Sequence, residues 1–446
     1  MKPLRLSILL LALASSLITV SCTQQKAEKT TDYPMFWTWM DYRPGMNFDS
    51  ICTVMNEVAI PIAHKHGIEV YAWLWTMNTE HDRDKLLKEH PEWFSVNREG
   101  KSLADTTAYV GYYKFMCPAL PEVREHINNK IKAYCEVEGL NGIAIDYHRF
   151  VDVVLPTTLW PKYGIVQDRE YPQWDFGYHP AMIELFQEKY GYDPREQEDP
   201  SQDEQWLQFR CDQITEVANM IAETVHSYGK KMAASPFPTP AMSRKMVRQD
   251  WGKWNLDIVF PMVYHTFYTG DVSFISDCTI DNVKQKNPMT TLYCGMTASN
   301  DSTMFLCMDE ALNNGAEGIV IFTVNGLRSP EIRTQFKAYT DSVKELRSQS
   351  KINPAATGRT TVNINPFENT GIMKAIDMRM KEYIGSTETL NLDEHKLTDQ
   401  YGATKCYQVT DRNSGLTFDV NFYFYGNVIS GWSVIPEKTS YEKFLK

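Results

Sequence analysis

Between Met35 and Glu345 short apolar runs alternate with stretches in which apolar residues recur every three or four positions. The runs are Met35–Met40, Glu69–Trp75, Gly142–Asp146, Lys231–Ser235, Asp257–Met262, Thr291–Gly295 and Gly318–Thr323. Several are continuously apolar, as strands buried on both faces of a parallel sheet are. Between them, Ile214, Val217, Ala218, Ile221, Ala222 and Val225 share one face of a helix expected from Asp203 to Ser227. Ser329-Pro330 opens another helix, and a third spans about Asp301 to Asn314. Such alternation predicts an α/β fold, either a (β/α) barrel or a doubly wound sheet. No glycine-rich phosphate loop follows any run, which favours a TIM-type barrel over residues 34–347. A closed barrel wants eight strands and seven are visible. The gap falls in Phe48–His66, which reads as one helical pattern interrupted by Pro61, so the barrel is expected to be one βα unit short.

Residues 348–366 turn to Ser, Thr, Asn and Pro and read as a linker. Beyond it, Gly371–Tyr383 is a short amphipathic helix, and Leu416, Phe418, Val420, Phe422 and Phe424 alternate with polar or aromatic neighbours. The reading is a small α+β accessory domain over 367–446.

The amino terminus is an address. Lys2 and Arg5 precede an apolar run from Leu6 to Val20, too short for a comfortable membrane span. The run ends in Val20-Ser21-Cys22, which resembles a lipobox and implies cleavage after residue 21 and a lipid on Cys22. Residues 22–33 are then a polar tether, and the folded part is expected in the periplasm or at the outer membrane or cell surface. The eight later cysteines show no CxxC pair and no metal-ligand spacing. A net charge of −11 argues against nucleic acid as a partner.

The strongest chemical signal is Gly142 to Arg149, where an apolar strand ends in Asp146, Tyr147, His148 and Arg149. The carboxyl-terminal ends of barrel strands form the active-site face, so a carboxylate there is placed for tuning of its pKa. The structural alternative is an ion pair between Asp146 and Arg149 at the rim. Trp39 and Asp41 follow the first run, and Trp75 and Asn78 the second. Aromatic faces stack on the C–H faces of sugars, while carboxylates and amides bind hydroxyls. Tyr264, His265 and Asn325 follow later runs and are suited to the same work. Glycoside hydrolysis by the common route needs a second carboxylate. The loop after Asp146 offers Asp152, Asp168, Glu170 and Asp175. Asp175, in the aromatic stretch Tyr171–Tyr178, is the first choice, with Asp41 a competitor. No HExxH and no dense His/Asp cluster is present, so neither metal nor cofactor is expected.

His90-Pro91-Glu92-Trp93, Cys117-Pro118-Ala119 and Gly142–Arg149, followed in order by Ser235-Pro236-Phe237, Asp257–Tyr264 and Gly318–Phe322, resemble the glycosyl-hydrolase-like family ten barrels. The resemblance spans roughly Met35 to Glu345. It implies a sugar-active barrel, carries the family's strand-four Asp and Arg onto Asp146 and Arg149, and its Tyr after strand six onto Tyr264. The family pattern has a further strand between the positions of Glu57 and Ile60 that this chain is expected to lack. Two functions follow as expectations. One is a lipid-anchored glycoside hydrolase acting on an oligo- or polysaccharide outside the cytoplasm. The other is a non-catalytic glycan-binding lipoprotein on a degenerate barrel. A de-N-acylase of decorated sugars is a weaker third.

Overall fold

The computed structural model describes residues 36–39, 46, 48–53, 59–299, 303–349, 365–368, 370–384, 390–392, 394–401, 404–413, 415, 417–425 and 428–436. Cys22 and Asp41 lie outside them, as does the expected linker from residue 350 to 364.

Eight parallel strands close into a barrel: β1 (Phe36–Trp39), β2 (Ser50–Thr53), β3 (Glu69–Trp75), β4 (Gly142–Asp146), β5 (Lys231–Ala234), β6 (Ile258–Val259), β7 (Thr291–Thr297) and β8 (Gly318–Phe322). Pairing of Trp37 with Val320 closes the ring. The expected missing unit is a correction. β2 pairs with Trp37–Trp39 on one side and with Glu69–Ala72 on the other. It escapes notice because it has four residues, of which only Ile51 and Cys52 are apolar. Asp49 fastens its start: its backbone N–H bonds Phe36 O at 2.7 Å, and its carboxylate accepts from Phe36 N at 3.0 Å and Lys344 Nζ at 2.6 Å. The helix that follows is only Ala59–Lys65. Pro61 sits in its first turn, where its missing N–H has no helical partner to lose.

The strand pleat sorts side chains into two cores. On β3, Tyr71 and Trp73 face the barrel axis while Val70, Ala72 and Leu74 face the helices. The interior is packed by aromatics: Trp37 lies 4.4 Å from Tyr71, 5.5 Å from Phe260 and 5.6 Å from Tyr293, between ring centroids. Small residues opposite them, Ala144 and Ala233, complete that layer. Gly142 is required for it, because a Cβ there would stand 2.3 Å from Lys231 O and 2.5 Å from the Tyr71 ring. Outside, Ile143 and Ile145 of β4 pack with Ile214, Val217, Ala218 and Ile221 of helix Glu204–Ser227. Asp203 caps that helix by accepting from Gln205 N at 3.0 Å and Trp206 N at 3.1 Å, a contact worth about 1 kcal/mol.

Past the barrel, helix Thr370–Ile384 packs Ile376 and Met380 against Val409, Phe418, Val420, Phe422 and Val434. These belong to an antiparallel sheet of β9 (Glu394–Tyr401), β10 (Thr404–Thr410), β11 (Thr417–Tyr425) and β12 (Val428–Pro436). β11 buries Phe418, Val420 and Phe422, the phase read from its alternation. β12 touches helix Ser273–Gln285 of the barrel.

Candidate active site

At the carboxyl-terminal mouth of the barrel lies a cleft of about 380 Å³. Its acidic groups, among the described residues, are Asp146 and Asp152. The register pairs Trp75 with Asp146, so β3 and β4 end together and put both side chains at the mouth. Asp146 is buried among aromatic rings, and burial pushes its carboxyl up to about 6. Four groups pull the other way: the Tyr147 N–H, the Arg149 charge, the Trp73 indole N–H and the Ser235 hydroxyl. The Tyr147 N–H bonds Oδ1 at 2.6 Å and the Trp73 indole bonds Oδ2 at 3.1 Å. Tyr147 takes a left-handed backbone conformation, φ 48°, unusual for a bulky residue.

Arg149 also lines the cleft. Its Nη1 donates to Asp152 Oδ2 at 3.1 Å and to Phe150 O at 2.9 Å, and its Nη2 donates to Tyr113 OH at 3.1 Å. The guanidinium is ringed by Tyr113, Phe115, Tyr147 and Phe237, each within 5.4 Å of its centre. Tyr109 OH gives Asp152 Oδ2 a second bond at 2.7 Å. The ion pair at the strand-four end is therefore Arg149 with Asp152.

Two aromatic walls flank Asp146. On the β3–β4 side Trp75 lies 4.2 Å from Tyr147 and 5.7 Å from the exposed Tyr112. Across the barrel Tyr264 lies 5.4 Å from Phe267 and 6.1 Å from Phe322, which in turn meets Trp39 at 5.7 Å. Burial raises the Tyr264 phenol's pKa, and the Asp146 charge raises it further, so it stays a donor. The structure thus gathers Trp39, Trp75, Asp146, Tyr147, Arg149 and Tyr264 around one cleft.

Four sequence-derived candidates lie elsewhere. Asp175 is a correction. It is fully buried in a cage of arginines, 2.5 Å from Arg210 Nη1 and 3.3 Å from Arg248 Nη2, with Tyr178 OH at 2.9 Å. Burial alone would raise its pKa, but the Arg210 and Arg248 charges win and hold it below the usual carboxylate range. Such a group has neither access to a substrate nor a proton to give. Asn78 is buried, and its Oδ1 accepts from Lys114 N at 2.9 Å, tying down the loop that carries Tyr112 and Tyr113. His148 is buried behind the mouth between Thr76 Oγ1 at 2.8 Å and Ile214 O at 2.9 Å. A carbonyl only accepts, so Nε2 carries the hydrogen and Nδ1 accepts from Thr76. Burial lowers its pKa to about 4, so it is a neutral strut. His265 opens the short helix His265–Tyr268 and turns Nδ1 towards Cys307 Sγ, 3.8 Å away, in the helical layer. Asn325 stands in the turn Val324–Gly326, but its side chain is outside the described residues, as is Asp41.

Sequence reasoning passed over Trp73, Tyr112, Tyr113 and Phe322, and ranked Asp152 below Asp175. The signals were faint: a tyrosine cluster at Tyr109–Tyr113, and Asp152 three residues after Arg149, the spacing of a local ion pair. Among the described residues no group of three or more His, Cys, Asp or Glu is arranged to hold a metal ion.

Residues 11–154 match the model of the family described as Glycosyl hydrolase-like 10. No curated protein matches the chain. Among solved structures, the chain is similar to the glycoside hydrolase domain of PelA from Pseudomonas aeruginosa, with 11% identity over 67% of this chain and 98% of that one, TM-score 0.38. It is similar to a GH18 chitinase from Pseudoalteromonas aurantia, with 11% identity over 70% and 99%, TM-score 0.35. An alpha-galactosidase from Lactobacillus brevis shares 9% identity over 85% of this chain and 42% of that one, TM-score 0.41.

Proposed function

We propose that this barrel is a glycoside hydrolase of an extracytoplasmic glycan, carried on a lipid anchor at Cys22, with Asp146 as its proton donor. The observation that carries the reading is Asp146 itself, a buried carboxyl raised to about 6 between two aromatic walls at the mouth of a closed barrel. A general acid must hold its proton near working pH and lose it readily in the transition state, and this environment meets both demands. The aromatic walls suit the C–H faces of sugar rings, and the phenol of Tyr264 suits a hydroxyl. In the step, the proton passes from Asp146 to the glycosidic oxygen while the C–O bond to the anomeric carbon breaks. The leaving sugar departs as an alcohol; water then adds its hydroxyl to the anomeric carbon and gives its remaining proton to the Asp146 carboxylate, which restores the acid. Asp152, the other carboxylate of the cleft, is ion-paired with Arg149 and holds that guanidinium in the wall. The match of residues 11–154 to a glycosyl hydrolase-like family supports the same reading.

The test is reducing-sugar release from a panel of polysaccharides and host glycans by the protein from Thr23 onward, beside Asp146→Asn. Hydrolysis of one glycan, abolished in the variant, supports the reading. Saturable glycan binding without hydrolysis, unchanged in Asp146→Asn, overturns it in favour of a binding protein.

A further inference from the structure

Oδ1 of Asp146 accepts from the Tyr147 N–H at 2.6 Å. Oδ2 accepts from the Trp73 indole N–H at 3.1 Å, and the Ser235 hydroxyl is a further hydrogen-bond donor to the carboxyl. We infer that Trp73 is the positioning residue of the proton donor: its N–H holds Oδ2 as the oxygen from which the catalytic proton leaves. The inference rests on the reading of Asp146 as general acid and adds to it the group that acts through it.

The geometry makes the role specific. β3 points Tyr71, Trp73 and Trp75 inward in succession, and the register sets Trp73 opposite Ala144, one inward position below Asp146. The small side chain of Ala144 leaves room for an indole to rise beneath the carboxyl. Packing fixes the ring: Trp73 joins the barrel-interior cluster and meets Trp75 edge-on at 6.4 Å. Each carboxyl oxygen has two lone pairs, so Oδ2 can carry the proton and accept from Trp73 together. Once the proton has gone to the glycosidic oxygen, negative charge develops on the carboxylate and the bond from Trp73 strengthens. The indole therefore favours the state after transfer over the state before it. The other groups facing Asp146 are Arg149 from its own segment, Ser235 after β5 and Tyr264 after β6. The charge of Arg149 is shared with Asp152. None of these needs to move when Trp73 changes.

The experiment is a ¹³C titration of aspartate carboxyls, with the Asp146 signal identified by its loss in Asp146→Asn. Trp73→Phe removes the donor. A second variant replaces the indole of residue 73 with the isosteric benzothiophene of 3-benzothienylalanine, which keeps the packing and lacks only the N–H. Both are expected to raise the Asp146 midpoint by about one to two pH units, the scale of a hydrogen bond to a charged group. With a hydrolysed glycan in hand, the alkaline limb of kcat/KM moves up by the same amount while the plateau falls several-fold. An unmoved midpoint in the benzothiophene variant overturns the role of Trp73. An Asp146 midpoint in the ordinary carboxylate range in the unmodified protein overturns the general-acid reading, and the two failures are distinct.

Discussion

Arg149 Nη1 lies 3.1 Å from Asp152 Oδ2, and both side chains are buried in the wall of the cleft. Removing one partner of such a pair strands a charge, whereas removing both does not. Arg149→Met and Asp152→Leu are each expected to cost about 3 kcal/mol or more of stability. The double variant should lose less than the sum of the two. Urea unfolding of the three proteins checks this. Additive losses would mean that the pair is not coupled.

Asp146 makes the opposite trade. Its carboxyl is raised to about 6 from an ordinary 3.8, so the folded chain binds the proton more tightly than the unfolded chain. The stability this contributes is full below about pH 4 and is lost as pH rises through about 6. At 1.36 kcal/mol per unit, the swing is about 3 kcal/mol. Asp146→Asn cannot ionise, so between pH 4 and pH 7.5 it should lose about 3 kcal/mol less stability than the unmodified protein while losing turnover. Parallel unfolding curves at the two pH values would contradict this.

The fold was legible where apolar runs were long enough to be seen. Glu69–Trp75 and Gly142–Asp146 are strands with those bounds, because continuous apolar runs flanked by polar turns have few other homes. Ser50–Thr53 was not legible. Its pairing comes from neighbours on both sides and from Asp49, none of which shows in a window of four residues. At the site, strand ends located Asp146 and Trp75, since the pleat and the barrel decide where they point. The loops were harder. Asp175 sits in an aromatic stretch, as a sugar-binding acid would, but Arg210 and Arg248 claim it from 35 and 73 residues away. No local pattern announces such a partner. His148 was misread for a similar reason, its fate being set by Ile214 O on a distant helix.

Gly142 should tolerate nothing larger. A methyl group there meets a backbone oxygen at 2.3 Å and a ring that is itself packed against Trp37. Gly142→Ala is expected to cost at least about 3 kcal/mol, at the upper end of overpacking, because neither neighbour can withdraw. A melting temperature within a degree or two of the unmodified protein would show that the barrel interior is softer than its packing implies.

Cys22→Ser tests the anchor apart from the chemistry. The thiol accepts the lipid in the proposed processing, so the variant should leave the membrane fraction with its glycan hydrolysis unchanged per molecule. Retention of the processed variant in membranes would refute lipidation at residue 22.

Asp175, withdrawn from the cleft, has a structural prediction of its own. Burial would raise its pKa, but the charges of Arg210 and Arg248 hold it below 3.8, so the unfolded chain binds the proton more tightly. Its contribution to stability is present above about pH 4 and is lost as pH falls through the depressed folded value. Asp175→Asn removes the negative charge and leaves both arginines in the buried cage, with Glu170 still bound to Arg248 at 2.5 Å. Breaking a buried pair in this way costs about 3–5 kcal/mol. The loss should be full at pH 7 and shrink as the unmodified protein is taken into acid. Any protein that remains folded should hydrolyse glycan with unchanged kcat and KM, because the cleft and Asp146 are untouched. A folded Asp175→Asn with normal stability and no turnover would return Asp175 to the active site. A destabilised but fully active one places it in the scaffold.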